Sequence, residues 1–298
     1  MLNVYEQVNR NKMRSSLVVA LFAIFVVVVV YFLGRVFGYS PSFIGIALIV
    51  SGISSFAGYW YSDKIILAVS GAKPATKKEH FLFFSVCENL AIAAAIPMPS
   101  LYVLNDSAPN AFATGRDISH AVVCATTGLL EKLDRTELEG VIAHEISHIR
   151  NYDMRLMSVV SVLVGMITLL ADWLLRGSLG KSSSRGKGEL SGILMIIGLV
   201  LALLSPLIAK LIQLALSRRR EFLADAGSVM LTRQPAGLIK ALTILASDRE
   251  PLEAANKATA SLFIVNPFKE GLKGFQTANM FNTHPPIEER IKALKEMV

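Results

Sequence analysis

Four apolar runs constrain this chain more than any other feature: Leu17 to Leu33, Phe43 to Tyr61, Leu156 to Leu175 and Leu190 to Ala209. As a helix rising ~1.5 Å per residue, each is about long enough to cross a hydrocarbon core of ~30 Å. The whole chain is 53% hydrophobic with a mean hydropathy of +0.50, too apolar for an ordinary soluble enzyme. A bilayer is therefore the expected solvent for part of it. The first run follows Arg10, Lys12 and Arg14 in the manner of a secretory signal. However, it outlasts the ~7 to 15 apolar residues of such a signal and lacks a small-residue cleavage site, so it reads as a retained anchor. In the second run Gly45, Gly52, Ser54 and Gly58 suit close packing against another membrane helix, with a buried core helix as the alternative.

Charge sets the expected sidedness. Arg10, Lys12 and Arg14 precede the first run and Lys64, Lys73, Lys77 and Lys78 follow the second, while only Arg35 lies between. By the positive-inside rule the amino terminus and the region from Asp63 onward are cytoplasmic. The organisation expected is a membrane hairpin (1–62), a first cytoplasmic part of the catalytic unit (63–155), a second hairpin (156–209) and a second cytoplasmic part (210–298). The Lys181 to Gly188 connection is Ser/Gly/Lys-rich, and its charges leave the depth of the second hairpin open. The net charge of +7 is placed beside membrane segments, which points to an anionic lipid surface and not to nucleic acid. Cys87 and Cys124 lack metal-ligand spacing and read as core thiols.

In the first polar part, helical spacing covers His80 to Ile96, and strands are expected at Leu101 to Leu104 and Ala121 to Ala125. Asn110 to Gly115, between them, reads as turn-rich. Asp134 with Glu137 then starts a helix whose apolar face is Leu138, Val141, Ile142 and Ile149. That helix carries His144-Glu145-Ile-Ser-His148. Two imidazoles one turn apart lie on nearly one face and can share a single Zn²⁺, with Glu145 beside them as general base toward an attacking water. A third ligand is needed, from the remaining histidines or a downstream carboxylate, and Glu221 and Asp225 lie four apart on one face of a helix continuous with the fourth apolar run. Glu221 would bind the metal while Asp225 accepts the far N–H of a ligand histidine. Alone, the same two acids beside Arg218, Arg219 and Arg220 read more readily as a solvated, salt-bridged face. His80, His120 and His284 read as loop histidines on residue type alone.

These residues carry a family likeness. His144-Glu-Ile-Ser-His148-Ile-Arg-Asn151-Tyr-Asp153 and Arg220-Glu221-Phe-Leu-Ala-Asp225 resemble the HtpX-type membrane zinc endopeptidases, relatives of the CAAX prenyl-protein proteases. Asn110-Ala-Phe-Ala-Thr-Gly115 and Thr283-His284-Pro-Pro-Ile-Glu-Glu-Arg290 extend the match. The resemblance implies an integral membrane zincin of the gluzincin kind, mainly α within an α+β class, with four apolar helices and a small β-sheet in its cytoplasmic catalytic domain. It implies His144, His148 and Glu221 as ligands of one Zn²⁺, and Glu145 and His284 as catalytic residues, His284 stabilising the oxyanion. It further implies Asp225, Asn151, Asp153 and Arg290 as supporting groups, and Asn110, Ala111, Phe112 and Ala113 as the edge where an extended peptide pairs. The substrates implied are misfolded or membrane proteins, in quality control under stress, alongside an AAA-type membrane protease. If the helices run on unbroken from His148 to Leu156 and from Ala209 to Glu221, the metal lies within ~20 Å of the bilayer. Two rivals remain at this point, a prenyl-type processing protease and a metal-binding membrane scaffold without catalysis.

Overall fold

The computed structural model describes residues 40–162, 218–255, 259–268 and 285–297, with scattered helical positions between 13 and 31. The first, third and fourth apolar runs therefore lie wholly or largely outside the described residues. Among the described residues no helix is long and apolar enough to cross a membrane. The second run forms α1 (Pro41–Trp60), in which Ile46, Ile49, Val50, Ile53 and Phe56 are exposed. Their spacing of three and four residues puts them on one side of the helix.

The described part is mostly helical around one small mixed sheet. After α1 come α2 (Ser62–Ser70), β1 (Lys73–Pro74), α3 (Phe81–Ala94), β2 (Ser100–Leu104), β3 (Ala111–Thr114), β4 (Val122–Thr126) and α4 (Thr127–Lys132). Then follow α5 (Arg135–Arg150), a helical run over 153–162, α6 (Arg218–Thr232), α7 (Pro235–Ser247) and α8 (Ile287–Lys295). The four strands are ordered β1-β2-β4-β3, with β2 and β4 parallel and the other pairs antiparallel.

The expected helix at His80 to Ile96 and the strands at Leu101 and Ala121 form within a residue or two of those limits. Asn110 to Gly115 departs from expectation. Its flanking Asn and Gly suggest turns, but Ala111–Thr114 is a strand, because every one of its residues is buried and paired to β4. Tertiary pairing overrides the weak strand propensity of alanine. Gly115 ends it at φ 141°, where a Cβ would lie 2.5 Å from the His120 carbonyl.

Helix α5 sits at the centre. Asp134 Oδ1 accepts from Glu137 N at 2.8 Å and Glu137 Oε2 accepts from Asp134 N at 2.9 Å, the reciprocal cap expected at its start. Leu138, Val141, Ile142 and Ile149 are fully buried, as anticipated, but so is nearly everything between them. The helix is covered by α3, α6, α7 and β3 rather than lying with one face in water. Its contact with α7 is backbone to backbone: a Cβ on Gly140 would stand 2.6 Å from the Leu238 nitrogen. On the α6 side, Ser228 Oγ donates to the Gly140 carbonyl at 2.8 Å. Truncating one of these interior side chains, for example Ile142→Ala, costs about 2–5 kcal/mol.

The chain does not run on unbroken from the histidine helix into the third apolar run. Helix α5 stops at Arg150, Tyr152 takes a left-handed φ of 59°, and a new helical run begins at 153. This corrects the straight-helix estimate of the distance from metal to bilayer. The break has a physical use, because it turns the Asp153 carboxylate back toward His148.

Candidate metal centre

His144 and His148 leave α5 one turn apart, and Glu221 enters from the first turn of α6. One ligand atom from each lies within 4.8 Å of the others. The two imidazole Nε2 atoms are 3.2 Å apart, and the Glu221 oxygens lie 3.7 Å from His144 Nε2 and 3.6 Å from His148 Nε2. Tetrahedral ligands at ~2.0 to 2.1 Å from one zinc ion stand about 3.3–3.4 Å from each other. All three residues are buried.

The other face of each ring explains why these nitrogens are available. His144 Nδ1 lies 2.9 Å from Asp225 Oδ1, and His148 Nδ1 lies 3.2 Å from Asp153 Oδ2. A carboxylate at Nδ1 holds the proton there and leaves the Nε2 lone pair pointing inward. We assign the tautomers on this basis. Arg290 Nη2, although 3.3 Å from His144 Nδ1, already donates to Asp225 Oδ1 at 2.7 Å. The two Nε2 atoms, 3.2 Å apart with the Glu221 carboxylate alongside, need a proton or a metal ion shared among them. The residues present therefore fit a divalent metal ion.

Electrostatics point the same way. Burial and the Arg290 charge hold His144 below the ordinary imidazole range. For His148 burial works downward too, but the Asp153 hydrogen bond and the charge of Glu221 outweigh it and raise its pKa. The ring pair thus admits one positive charge. Burial is also the main reason that Glu145 is raised to about 7, with the Glu221 charge adding to it and His148, Arg290 and the Ala113 N–H opposing. Asp225 is held low, to about 2, because Arg290 and His144 outweigh its desolvation.

Arg290 is completely buried at the start of α8. It grips Asp225 with two bonds, Nε to Oδ2 at 2.9 Å and Nη2 to Oδ1 at 2.7 Å, and its Nη1 donates to the Ile264 carbonyl at 3.1 Å. Expected as a supporting group, it reaches the two-histidine cluster through Asp225. Asp153 also goes beyond a general buttress, as it meets His148 directly, with Arg220 Nε 3.6 Å from its Oδ1. Asn151 is the carboxyl cap of α5, its N–H donating to Ser147 O at 3.0 Å.

Of the expected edge residues, Ala111, Phe112 and Ala113 form β3, which packs against α5, and the Ala113 N–H favours the charged form of Glu145. The Asn110 side chain turns to the backbone of Val265. Its Nδ2 donates to the Val265 carbonyl at 3.0 Å. His284 lies outside the described residues. His80 occupies the N-cap position of α3 with no side-chain capping bond, and His120 pairs with Asp117 at 2.6 Å, so neither joins the His144–His148–Glu221 group. The sequence reading missed the Ile264–Val265 backbone altogether. No residue type there signals a role, since only main-chain atoms take part.

Residues 83–298 match Peptidase family M48. A protein named "Protease HtpX homolog" from Dictyoglomus thermophilum is 45% identical over 293 residues, covering 98% of this chain and 94% of the relative. One of the same name from Thermoanaerobacter pseudethanolicus is 44% identical over 298 residues, covering 99% and 98%. Among solved structures, S. mikatae Ste24p matches with a TM-score of 0.49 and 19% identity over 96% of this chain and 66% of that one.

Proposed function

The chain belongs to Peptidase family M48 and is a zinc metalloprotease, and from that premise we propose that it is a membrane-anchored endopeptidase that cuts misfolded or membrane proteins at the cytoplasmic face. The observation carrying the catalytic half is the convergence of His144, His148 and Glu221 beside a buried Glu145. In this reading those three residues hold one zinc ion, and Asp225 and Asp153 keep both imidazoles in the metal-binding tautomer. When bound, zinc supplies the Lewis acid for the scissile carbonyl and the attacking water. Glu145 takes the proton from that water and passes it to the leaving amine. Its desolvated carboxyl, raised to about 7, suits a group that must both accept and release a proton near neutrality. His284 is assigned to the oxyanion, and the backbone of β3 to an extended peptide, on the family resemblance.

The membrane half is supported by the exposed apolar side of α1 and by the basic residues Lys64, Lys73, Lys77 and Lys78 that follow it. An anchor holding the site near the bilayer raises the effective concentration of cytoplasmic loops and tails. A neighbouring AAA-type protease fits the same quality-control role.

Substituting Glu145→Gln tests the centre. The variant should keep one zinc per chain by elemental analysis while peptide hydrolysis falls by roughly 10²–10⁴-fold. Activity within a few-fold of wild type would remove Glu145 from the chemistry, and loss of the metal would make it a ligand. For the membrane half, a truncated protein lacking residues 1–62 that cleaves unanchored and bilayer-embedded substrates at the same relative rates as the full chain would count against anchoring as the source of preference.

A further inference from the structure

The sheet edge next to the metal helix is half covered by the chain itself. The Asn110 carbonyl accepts from Thr126 N at 3.0 Å and so faces β4. By strand alternation the peptide groups of Ala111 and Ala113 then face outward from the sheet. Their situations differ. The Ala111 N–H donates to Asn110 Oδ1 at 3.1 Å, and its carbonyl accepts from Ile264 N at 3.0 Å. Asn110 completes the clasp, with Nδ2 donating to Val265 O at 3.0 Å and Oδ1 accepting from Val265 N at 3.4 Å. Its side-chain amide thereby imitates the peptide group of a neighbouring strand.

Two more contacts hold the same segment. Phe263 packs edge-on against Phe112, ring centroids 5.1 Å apart, and Arg290 Nη1 donates to Ile264 O. Phe263, Ile264 and Val265 are all buried. Ala113 is the outward position of β3 that this segment does not engage, on the strand that packs against the helix carrying Glu145.

We propose that residues 263–265 form a built-in strap that fills the Ala111 end of the β3 edge, so that an extended peptide pairs with this strand at Ala113 alone. The inference rests on the peptidase reading and narrows it. Main-chain recognition by β3 is confined to one substrate residue next to Glu145, and the remaining selectivity must come from side chains. Asn110 and Arg290 are positioning residues for the strap, not groups that touch substrate.

The test uses zinc-loaded wild-type protein in detergent and an eight-residue peptide that it cleaves. Each backbone nitrogen outside the scissile bond is methylated in turn, which removes one N–H per peptide. Methylation at one position should lower kcat/KM by roughly tenfold, the effect of one lost buried hydrogen bond. Methylation two residues away toward the strap should change it less than about twofold. Two sensitive positions spaced by two would mean that Ala111 is open to substrate and would overturn the proposal. In Asn110→Ala the Ile264 amide should exchange with deuterium roughly tenfold faster, and a second methylation-sensitive position should appear. Unchanged exchange at Ile264, or faster exchange with no new sensitive position, would also overturn it. A zinc-loaded wild type that cleaves no peptide sinks the peptidase reading and the confinement with it, while Ile264 exchange still reports whether the strap holds β3.

Discussion

His144 and His148 are the same residue type on the same helix, one turn apart, yet the two ends of the centre are assembled differently. His148 is supported from nearby: Asp153, five residues on, reaches its Nδ1 because the chain breaks at Tyr152. His144 is supported from a distance, by Asp225 of α6, which Arg290 of α8 grips from 65 residues further along. The paired arginines differ as well. Arg290 makes two short bonds to Asp225, while Arg220 approaches Asp153 at 3.6 Å. One side of the centre can form with the local turn, whereas the other exists only once α5, α6 and α8 have packed together. The two rings accordingly respond in opposite directions, His144 lowered and His148 raised.

Removing Arg290 is the most severe way to break this contrast. Arg290→Met leaves Asp225 charged and buried without its main partner, at a cost of about 3–5 kcal/mol. Thermal denaturation should show a large fall in Tm, and a variant melting within a degree or two of wild type would refute the long-range role. Asp225→Asn and Asp153→Asn sharpen the contrast further. Each should weaken zinc binding by roughly 10–100-fold in a competition titration. Asp225→Asn should lower Tm more than Asp153→Asn, because it strands the fully buried Arg290, which makes two short bonds to Asp225. Equal Tm values for the two variants would erase the distinction drawn here.

The smallest effect expected is a proton count. In the metal-free protein the Asp153 hydrogen bond and the Glu221 charge raise His148 to about 9, whereas an imidazole that binds a metal must be neutral. Zinc binding at pH 7.5 should release a proton, seen as a dependence of the binding heat on buffer ionisation, and affinity should climb as pH rises toward 9. The sign for stability is the reverse. A folded pKa above the unfolded value of ~6.5 stabilises the metal-free fold fully below that pH, and the contribution is lost as pH rises through about 9. A metal-free protein that becomes more stable across that range would contradict the raised value.

The chemistry of the centre was legible because it is local. A two-histidine spacing of four with a glutamate between them needs only a helix to become half a metal site, and Asp134 with Glu137 marks where that helix starts. Glu221 and Asp225 were nameable but ambiguous. Taken alone beside Arg218 to Arg220 they looked more like a solvated face, and burial between α5 and α6 is what decides otherwise. The apolar face of α5 was read too narrowly, since a helix buried all round needs no stripe. β3 was hidden by its alanines, whose strand conformation comes from the partner β4.

By itself, then, the sequence determined which side chains can bind a metal and move a proton, since ligand chemistry is a property of residue type and short helical spacing. Only the tertiary structure decided that Asp153 turns back to His148, that Arg290 reaches the centre through Asp225, and that Ile264 covers half of the β3 edge. Those contacts join main-chain atoms or residues far apart along the chain. Such pairings leave no periodic trace in sequence, and they become defined only when packing has excluded water from between the partners.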